Sequence, residues 1–155
     1  MMAIRLPQAP GEKEAMLAWA QERLPVDFGP PALAYTIGVC RDQQLAAVAV
    51  YNDFRKTDMR MSIAADTPRW ATKEAIAFLL WWPFGMHPSL RRITAVVQKR
   101  NARSRKLVEG IGFRPEGTHL DLFEDDDGVS YALTRRWWSR SKWFLPDPQP
   151  NREAA

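Results

Sequence analysis

The stretch that decides the fold is Arg92 to Gly117, RITAVVQKRNARSRKLVEGIGFRPEG. Its first seven residues form a β-branched run that is typical of a strand buried in a sheet. Asn101 then stands where a helix N-cap is expected, and 102–109 contains no glycine or proline. Gly110 and Gly112 can adopt the left-handed conformation that ends a helix. The stretch therefore predicts a strand that runs directly into the amino end of a helix.

Such a junction favours an anion, because the first N–H groups of a helix are unpaired and the helix dipole is positive at that end. The turn also carries basic residues with no acidic residue among them, namely Lys99, Arg100, Arg103, Arg105 and Lys106. Taken alone, this charge run is also typical of a solvated basic helix face. The residues by themselves indicate an anion site or a plain surface.

The pattern Asn101-x-x-Ser104-x-x-Leu107, followed by the Gly112-Phe113 pair, resembles the coenzyme-A-side motif of the GNAT superfamily of N-acetyltransferases. It is most similar to the branch that contains the ribosomal-protein N-terminal acetyltransferases. In that family the Asn and the residue three positions later lie beside the pantetheine arm. The Gly-Phe pair opens the next strand in the same family. The resemblance implies an acetyl-coenzyme A cleft at this junction.

The family also requires a strand, a pyrophosphate loop and a long helix upstream, and residues 59–74 occupy that place. Its loop usually has Gln or Arg, two further residues, Gly, any residue, and Gly or Ala. This chain has Asp66 at the first of these positions and Arg69 at the first Gly, and only Ala71 matches. With both motifs present, the resemblance covers roughly 35–138.

Glycine is useful in such a loop because it lets a phosphate approach the backbone closely. Thr67 and Pro68 are typical of an N-cap and a first helical residue, so they predict that the helix begins here. Arg69 and Lys73 would add side-chain charge, whereas Asp66 would weaken phosphate binding if it pointed inward. A capped helix without a ligand is the alternative interpretation.

The resemblance and the two helix ends together assign a set of residues to the cofactor. They are Ala64, Ala65, Arg69, Trp70, Ala71, Thr72, Lys73, Asn101, Arg103 and Ser104. In the family geometry, a backbone N–H around Ala64 and Ala65 would stabilise the oxyanion.

Many relatives carry a Tyr one residue after the motif Leu to protonate the leaving sulfur, and here that position is Val108. A thiol with a pKa of about 8.5 is a tolerable leaving group without this acid. Tyr131 and Ser104 are candidate replacements for it. A base is needed mainly for a lysine amine, with a pKa of about 10.4, and much less for an α-amine near 8. The candidate bases or amine anchors are Asp53, Glu124, Asp121 and His119, each of which is also typical of a solvated residue.

Composition excludes several classes of protein. The 155 residues are 46% hydrophobic and 26% charged, which predicts one soluble domain over 1–145 and a disordered tail over 146–155. The longest apolar run, 75–84, is too short to cross a bilayer, and 1–10 lacks a signal core. A single cysteine, Cys40, excludes an internal disulfide and a multi-cysteine zinc site. We expect a cytoplasmic protein without a metal.

The order of the predicted elements is mixed. Helices are predicted at 11–24, 70–82 and 102–109, and strands at 33–40, 45–51, 59–65, 92–98, 113–123 and 129–135. The last two strands are joined by an Asp-Gly hairpin turn over 124–128. The predicted fold class is α/β (α+β): a mixed, mostly antiparallel sheet flanked by helices, with a parallel, splayed strand pair at the cofactor cleft.

The segment 135–144, RRWWSRSKWF, alternates cations and aromatic rings. It is typical of nucleic-acid or membrane-surface binding, or of aromatics that dock onto their own domain or a second subunit.

The leading hypothesis is an N-acetyltransferase that moves an acetyl group from acetyl-CoA to a primary amine by direct attack. The acceptor is a small molecule, a protein N-terminus or an aminoacyl-tRNA, and a homodimer is possible. The alternatives are an inactive CoA-binding or assembly module and an RNA-binding protein.

Overall fold

A computed structural model of the chain describes residues 2–146. It has one seven-stranded sheet in the order β1-β2-β3-β4-β5-β7-β6. The strands are β1 (Met2–Arg5), β2 (Tyr35–Arg41), β3 (Gln44–Asn52), β4 (Asp58–Ala65), β5 (Arg92–Gln98), β6 (Arg114–Phe123) and β7 (Asp126–Thr134). The helices are α1 (Glu12–Gln21), α2 (Lys73–Met86), α3 (Ala102–Ile111) and α4 (Arg135–Ser139). The predicted tail 146–155 lies, beyond Pro146, outside the described residues.

The sheet is antiparallel at every strand pair except β4 and β5, which run parallel. Helix α2 is the crossover between these two strands, as the sequence predicts. The two strands are paired only over Asp58↔Arg92, Met59↔Ile93 and Arg60↔Thr94. Beyond Arg60 they diverge, which confirms the predicted mixed sheet with a parallel, splayed strand pair.

Strand β1 is absent from the sequence prediction. It pairs with β2 over the register Met2↔Arg41 to Arg5↔Gly38. Only Ile4 of its four residues is buried, so the strand has almost no alternating hydrophobic pattern to detect. Its position is set by the edge of β2.

Helix α2 begins later than the sequence predicts. Thr67 caps only a short 3-10 turn, by accepting a hydrogen bond from the N–H of Arg69 at 3.3 Å. Ala71 then has ψ of 54°, which interrupts the helical path. Thr72 is the real N-cap, because its hydroxyl accepts from the N–H of Ala75 at 3.2 Å. The prediction that the helix starts at the Thr-Pro pair was therefore wrong.

The predicted end of this helix at Trp82 was also wrong, since α2 continues through Pro83 to Met86. Proline lacks an N–H, so the carbonyl of Leu79 one turn earlier loses its helical donor. The hydroxyl of Tyr51 donates to that carbonyl at 2.6 Å and replaces the missing bond. Burial raises the pKa of Tyr51 well above its ordinary value, so this hydroxyl stays protonated. A tertiary contact thus keeps the proline inside the helix.

Helix α3 begins as predicted. The Asn101 carboxamide accepts a hydrogen bond from the N–H of Ser104 at 3.1 Å. The helix ends at Gly112, which has a φ of 117°. Gly110, in contrast, lies within the helix and has no positive φ, so its predicted role as a helix stop was wrong.

Strand β7 begins at Asp126, three residues before the predicted start at 129. The turn is Glu124 and Asp125, and Gly128 lies inside β7 opposite His119. A Cβ at Gly128 would lie 2.7 Å from a methyl group of Leu122 and 3.1 Å from one of Val96, so a side chain here would require these neighbours to move. The predicted Asp-Gly turn was wrong because this glycine serves close packing between strands.

The two faces of the sheet carry separate cores. On one face α1 packs through Met16, Leu17 and Ala20 against even-numbered residues of β3 and β4 such as Val48 and Ala64. On the other face α2 and the end of α3 pack against odd-numbered residues, including Met59, Ile93 and Tyr131. None of the described helices is long and apolar enough to cross a bilayer.

The aromatic C-terminal segment packs on its own domain. Trp138 is 5% exposed and its ring stacks on Phe84 of α2 at 4.9 Å. The indole N–H of Trp143 donates to the carbonyl of Ile111 at 2.7 Å, and Trp137 lies beneath the guanidinium of Arg114 at 3.9 Å. These contacts agree with self-docking, one of the readings of this segment that the sequence left open.

Candidate functional site

The divergence of β4 and β5 opens a slot in the middle of the sheet. The enclosed part of the slot has a cavity volume of about 70 Å³. Leu24 and Val26, which follow α1, line it on one face, and Leu79 of α2 and Val108 of α3 line it on the other. The slot therefore passes through the sheet and is lined by residues from both of its faces.

The β4 wall of the slot presents backbone N–H groups. The N–H of Asp66, just after β4, donates to the carbonyl of Ala46 at 3.0 Å, toward β3. Because successive N–H groups of a strand point to opposite edges, Ala64 also donates toward β3. Ile63 and Ala65 instead point their N–H groups into the slot, where β5 no longer pairs with β4. The sequence prediction placed Ala64 and Ala65 here, and it missed Ile63, which the alternation of the strand identifies.

A groove at the mouth of the slot joins the two helix beginnings. It is lined by Thr67 and Ala71 before α2 and by Asn101, Arg103 and Lys106 around the start of α3. Both basic side chains of this set are exposed and make no ion pair within residues 2–146. They provide positive charge at the mouth.

Two other predicted cations of this turn, Arg100 and Arg105, have partners within the chain. The guanidinium of Arg100 lies 2.7 Å from a carboxylate oxygen of Asp125 in the β6–β7 turn. Arg105 donates to the hydroxyl of Tyr131 and to the carbonyl of Lys99, each at 3.0 Å. The basic run therefore divides into cations that brace the fold and cations that face the mouth.

Asp66 forms an ion pair with Arg23, a residue that the sequence analysis did not identify. Arg23 donates to its carboxylate from Nε at 2.7 Å and from a terminal nitrogen at 3.3 Å. The guanidinium also lies over the ring of Trp19, 3.5 Å from its centroid. The hydrogen bonds that Arg23 donates to Asp66 raise the pKa of Arg23 above its ordinary value. Arg23 lines the same groove and offsets the acidic residue in the loop.

No protein-family model matches the chain, and no curated protein matches it in sequence. Solved structures match it in fold. An acetyltransferase of the GNAT family from Desulfovibrio desulfuricans has a TM-score of 0.64 and 17% identity, over 86% of this chain and 99% of that one. The ribosomal-protein-S5-alanine acetyltransferase from Vibrio fischeri has a TM-score of 0.58 and 17% identity, over 84% and 70%. A further structure, described as a probable acetyltransferase, has 22% identity and a TM-score of 0.58 over 68% of this chain, and the match spans only 64% of that protein.

This chain has the GNAT acetyltransferase fold. The mostly antiparallel seven-stranded sheet, its one parallel pair β4–β5 and the flanking helices match that fold. At these identities the likeness establishes the fold and leaves the activity to be argued from the site.

Within the GNAT fold, the predicted cofactor residues around α2 separate into two places. Trp70 and Ala71 line the groove at the mouth of the slot. Thr72 and Lys73 line a different groove, formed with β1 and Trp143. Arg69 is exposed and lines neither groove. The structure thus gathers Ala65, Trp70, Ala71, Asn101, Arg103 and Ser104 at one mouth.

The structure does not bring Tyr131 to the slot. Its side chain is fully buried beneath α3, and its hydroxyl accepts from Arg105 at 3.0 Å and donates to Glu109 at 3.1 Å. Ser104, in contrast, lines the slot beside Val108. Of the two predicted replacement acids, only Ser104 lines the slot.

The predicted bases also lie outside the slot. Asp53 has a φ of 53° in the loop after β3 and pairs with Arg55 at 3.0 Å. Glu124 occupies the exposed β6–β7 turn, whose neighbour Phe123 does line the slot. Within residues 2–146 the polar lining of the slot is Ser62, Gln98, Asn101 and Ser104, together with the Trp70 indole. No side chain that is ordinarily charged at pH 7 lines the slot in the described part of the chain.

Proposed function

We propose that the chain is an N-acetyltransferase that moves the acetyl group of acetyl-coenzyme A to a primary amine by direct attack. The observation that carries the proposal is the slot between β4 and β5, which passes through the sheet and has Ile63 and Ala65 N–H groups on one wall. A thioester substrate and an amine can approach this slot from opposite faces of the sheet.

The residues present fit acetyl-coenzyme A. The open backbone edge of β4 can pair with the amide groups of the pantetheine arm, as a strand would. Leu107 and Val108 offer apolar contact to its methylene groups. Arg103 and Lys106 at the mouth attract phosphate, and the Asn101 end of α3 adds a positive dipole. No glycine-rich loop is required for this set of contacts.

The reaction needs few groups from the protein. The amine nitrogen attacks the thioester carbonyl carbon, a C–N bond forms, and the C–S bond breaks to release the thiol of coenzyme A. The carbonyl oxygen gains negative charge during the attack, and a slot-facing N–H of Ile63 or Ala65 can stabilise it. The nitrogen loses a proton to solvent, and the sulfur takes one from water, either directly or through the Ser104 hydroxyl, which regains its proton from the same water.

The lining of the slot limits the acceptor to an amine that arrives neutral. Because no carboxylate or imidazole in the described chain lines the slot, no side chain there can deprotonate an ammonium group. An α-amine has a pKa of about 8 and a lysine amine about 10.4, so the α-amine has a roughly two-hundred-fold larger neutral fraction near pH 7. The Vibrio fischeri structure with the same fold is named for acetylation of an alanine. These points support an amine of low pKa, on a small molecule, a peptide or an aminoacyl-tRNA.

Isothermal titration with acetyl-coenzyme A tests the proposal. We expect saturable binding in the micromolar range, and no binding at millimolar ligand would end it. A pH–rate profile then tests direct attack. The value of kcat/KM should rise with pH through the pKa of the acceptor amine and show no second ionisation from the enzyme.

A second candidate function is a CoA-binding module without catalysis. Val108 at the position of the usual Tyr, and a slot lined by neutral side chains, favour it. Binding of acetyl-coenzyme A without acetylation of any amine across a broad panel would support this candidate. The RNA-binding alternative loses support, because Trp138 and Trp143 are engaged with their own domain.

A further inference from the structure

One face of the sheet carries polar side chains beside the slot. Helix α1 packs against β2, β3 and β4. Further along the same face, β5 and β7 present half-buried polar side chains, among them Thr94, Gln98 and Ser130. This is the face opposite to α2 and α3, and so it is where an acceptor would reach the slot.

Arg60 occupies the closed end of the slot on this face. It pairs in register with Asn52 of β3 and with Thr94 of β5, and the Arg60↔Thr94 pair is the last before the strands diverge. Ser62 points to the same face and lines the slot. Residues two positions apart in a strand have Cα atoms about 7 Å apart, so this is the distance from the Cα of Arg60 to that of Ser62 in the slot lining.

The guanidinium of Arg60 has no partner in the described part of the chain. The residue is half-buried, and its side chain makes no hydrogen bond or ion pair with any of residues 2–146. Partial burial without a counter-ion is unfavourable for a charged group. Arg60 can therefore gain a favourable contact from an anion that is not part of this chain.

Two carboxylates on this side of the sheet already have partners. Arg92 makes ion pairs with Asp58, at 3.5 Å, and with Glu116. Thr94 also donates to Asp58, at 2.7 Å. The hydrogen bond from Arg92 holds the pKa of Glu116 below its ordinary value. A polycationic acceptor would have to compete with Arg92 for these groups, whereas an anionic acceptor meets an unpaired cation.

We propose that the acceptor carries a carboxylate or phosphate group beside its primary amine, and that Arg60 binds this anion while the amine reaches the thioester near Ser62. The inference rests on the acetyltransferase function proposed above. A guanidinium can donate two parallel hydrogen bonds to either anion. The short step from Arg60 to Ser62 requires the anion and the amine to be only a few bonds apart. Arg60 is thus a residue that selects and positions the acceptor.

The test compares two pairs of amines that differ in one charge. The carboxylate pair is the dipeptide amides Asp-Ala and Asn-Ala, and the phosphate pair is phosphoserine-Ala and Ser-Ala, so that each anion lies a few bonds from an α-amine with a pKa of about 8. For each compound, kcat/KM is measured with acetyl-coenzyme A, and binding is measured by calorimetry on the chain saturated with coenzyme A. The members of a pair also differ in amine pKa. The decisive quantity is therefore the ratio of kcat/KM for the anionic member of a pair to kcat/KM for its partner. This ratio is compared between the wild-type chain and Arg60→Gln.

In Arg60→Gln we expect the ratio of the anionic member to its partner to fall about tenfold for one of the two pairs, both in kcat/KM and in binding. The pair that responds identifies the anion. Arg60→Lys should retain part of the preference, since it keeps the charge without the planar fork. Arg55→Gln, in the exposed loop before β4, is the matched control and should leave the ratio unchanged.

An unchanged ratio in Arg60→Gln for both pairs would overturn the inference. So would the absence of detectable binding of all four compounds to the CoA-saturated chain. A separate result would contradict the proposed function itself, namely that the wild-type chain does not bind acetyl-coenzyme A. The Kd for acetyl-coenzyme A should be the same in Arg60→Gln and the wild type, which also reports that the variant is folded.

Discussion

The two walls of the slot are built differently, although they belong to neighbouring strands of one sheet. The β4 wall presents backbone, because Ile63 and Ala65 point their N–H groups into the slot, and α2 starts only after a 3-10 turn. The β5 wall presents a helix end, because β5 continues through Asn101 into α3. Arg103 and Lys106 lie exposed at the mouth on that side.

Under the proposed function, this difference would give the two walls separate tasks. On the β4 side the acidic Asp66 is offset by Arg23, which leaves little net charge for a phosphate group. On the β5 side the cations at the mouth are unpaired within the described residues. The β4 wall is therefore suited to hold the thioester carbonyl and the pantetheine amides. The β5 wall is suited to attract the charged part of the cofactor.

The largest effect should come from removing a donor on the β4 wall. Ile63→Pro deletes an N–H that points to the slot and not to β3, so the ladder with β3 can survive. We expect kcat at saturating acetyl-coenzyme A to fall by about 10²–10³-fold, the usual cost of one oxyanion donor. Ile63→Val, which keeps the N–H, is the control and should stay within about threefold of wild type. A proline variant that is folded and fully active would contradict the role of this wall.

The β5 wall should give the next largest effect. Asn101→Ala removes the cap of α3, and we expect the Kd for acetyl-coenzyme A to rise about tenfold, with a loss of about 1 kcal/mol in unfolding free energy. Asn101→Asp restores the cap but adds negative charge at the mouth. Calorimetry and denaturant unfolding should show recovered stability and weak binding in this variant. Recovery of both would mean that the residue acts through helix stability alone.

The ion pair on the β4 side provides a smaller effect with a diagnostic sign. Arg23→Gln and Asp66→Asn break the same contact, but the first removes positive charge from the mouth and the second removes negative charge. At low ionic strength we expect the Kd for acetyl-coenzyme A to rise about threefold in the first and to fall about threefold in the second. Titrations of both variants measure this. A shift in the same direction would indicate that the pair acts by holding α1 and β4 together.

The smallest effect on activity should come from Tyr131. Tyr131→Phe removes the hydroxyl that joins Arg105 and Glu109 beneath α3. We expect unfolding free energy to fall by about 1 kcal/mol and kcat to stay within about twofold. Urea unfolding and steady-state kinetics check the two numbers. A tenfold loss of kcat in a stable variant would restore Tyr131 as the catalytic acid.

Local signals in the sequence predict much of this fold. The junction from Arg92 to the Asn101 cap is specified by β-branched residues, a capping side chain and a helix without glycine until Gly110. The parallel pair follows from the helical crossover between β4 and β5. These features depend on residues that are close in the chain, so pattern and propensity are enough to find them.

The remaining features depend on contacts between distant residues. Pro83 stays inside α2 because of a hydroxyl on Tyr51, and the start of β7 depends on packing around Gly128. Arg23 and Asp66 meet across 43 positions of the chain. Arg60 becomes notable only when the register shows that it stands at the closed end of the slot. The hydrophobic periodicity of the sequence does not contain this information.

The central claim is that acetyl-coenzyme A occupies the slot between the two walls. Amide-resolved NMR of the chain, with and without acetyl-coenzyme A, tests it most directly. We predict large shifts and slower hydrogen exchange at the N–H groups of Ile63 and Ala65, with smaller shifts at Ser104 and little change at Lys73 or Trp143 in the separate groove. Changes centred on Lys73 and Trp143, with Ile63 and Ala65 unaffected, would contradict the account.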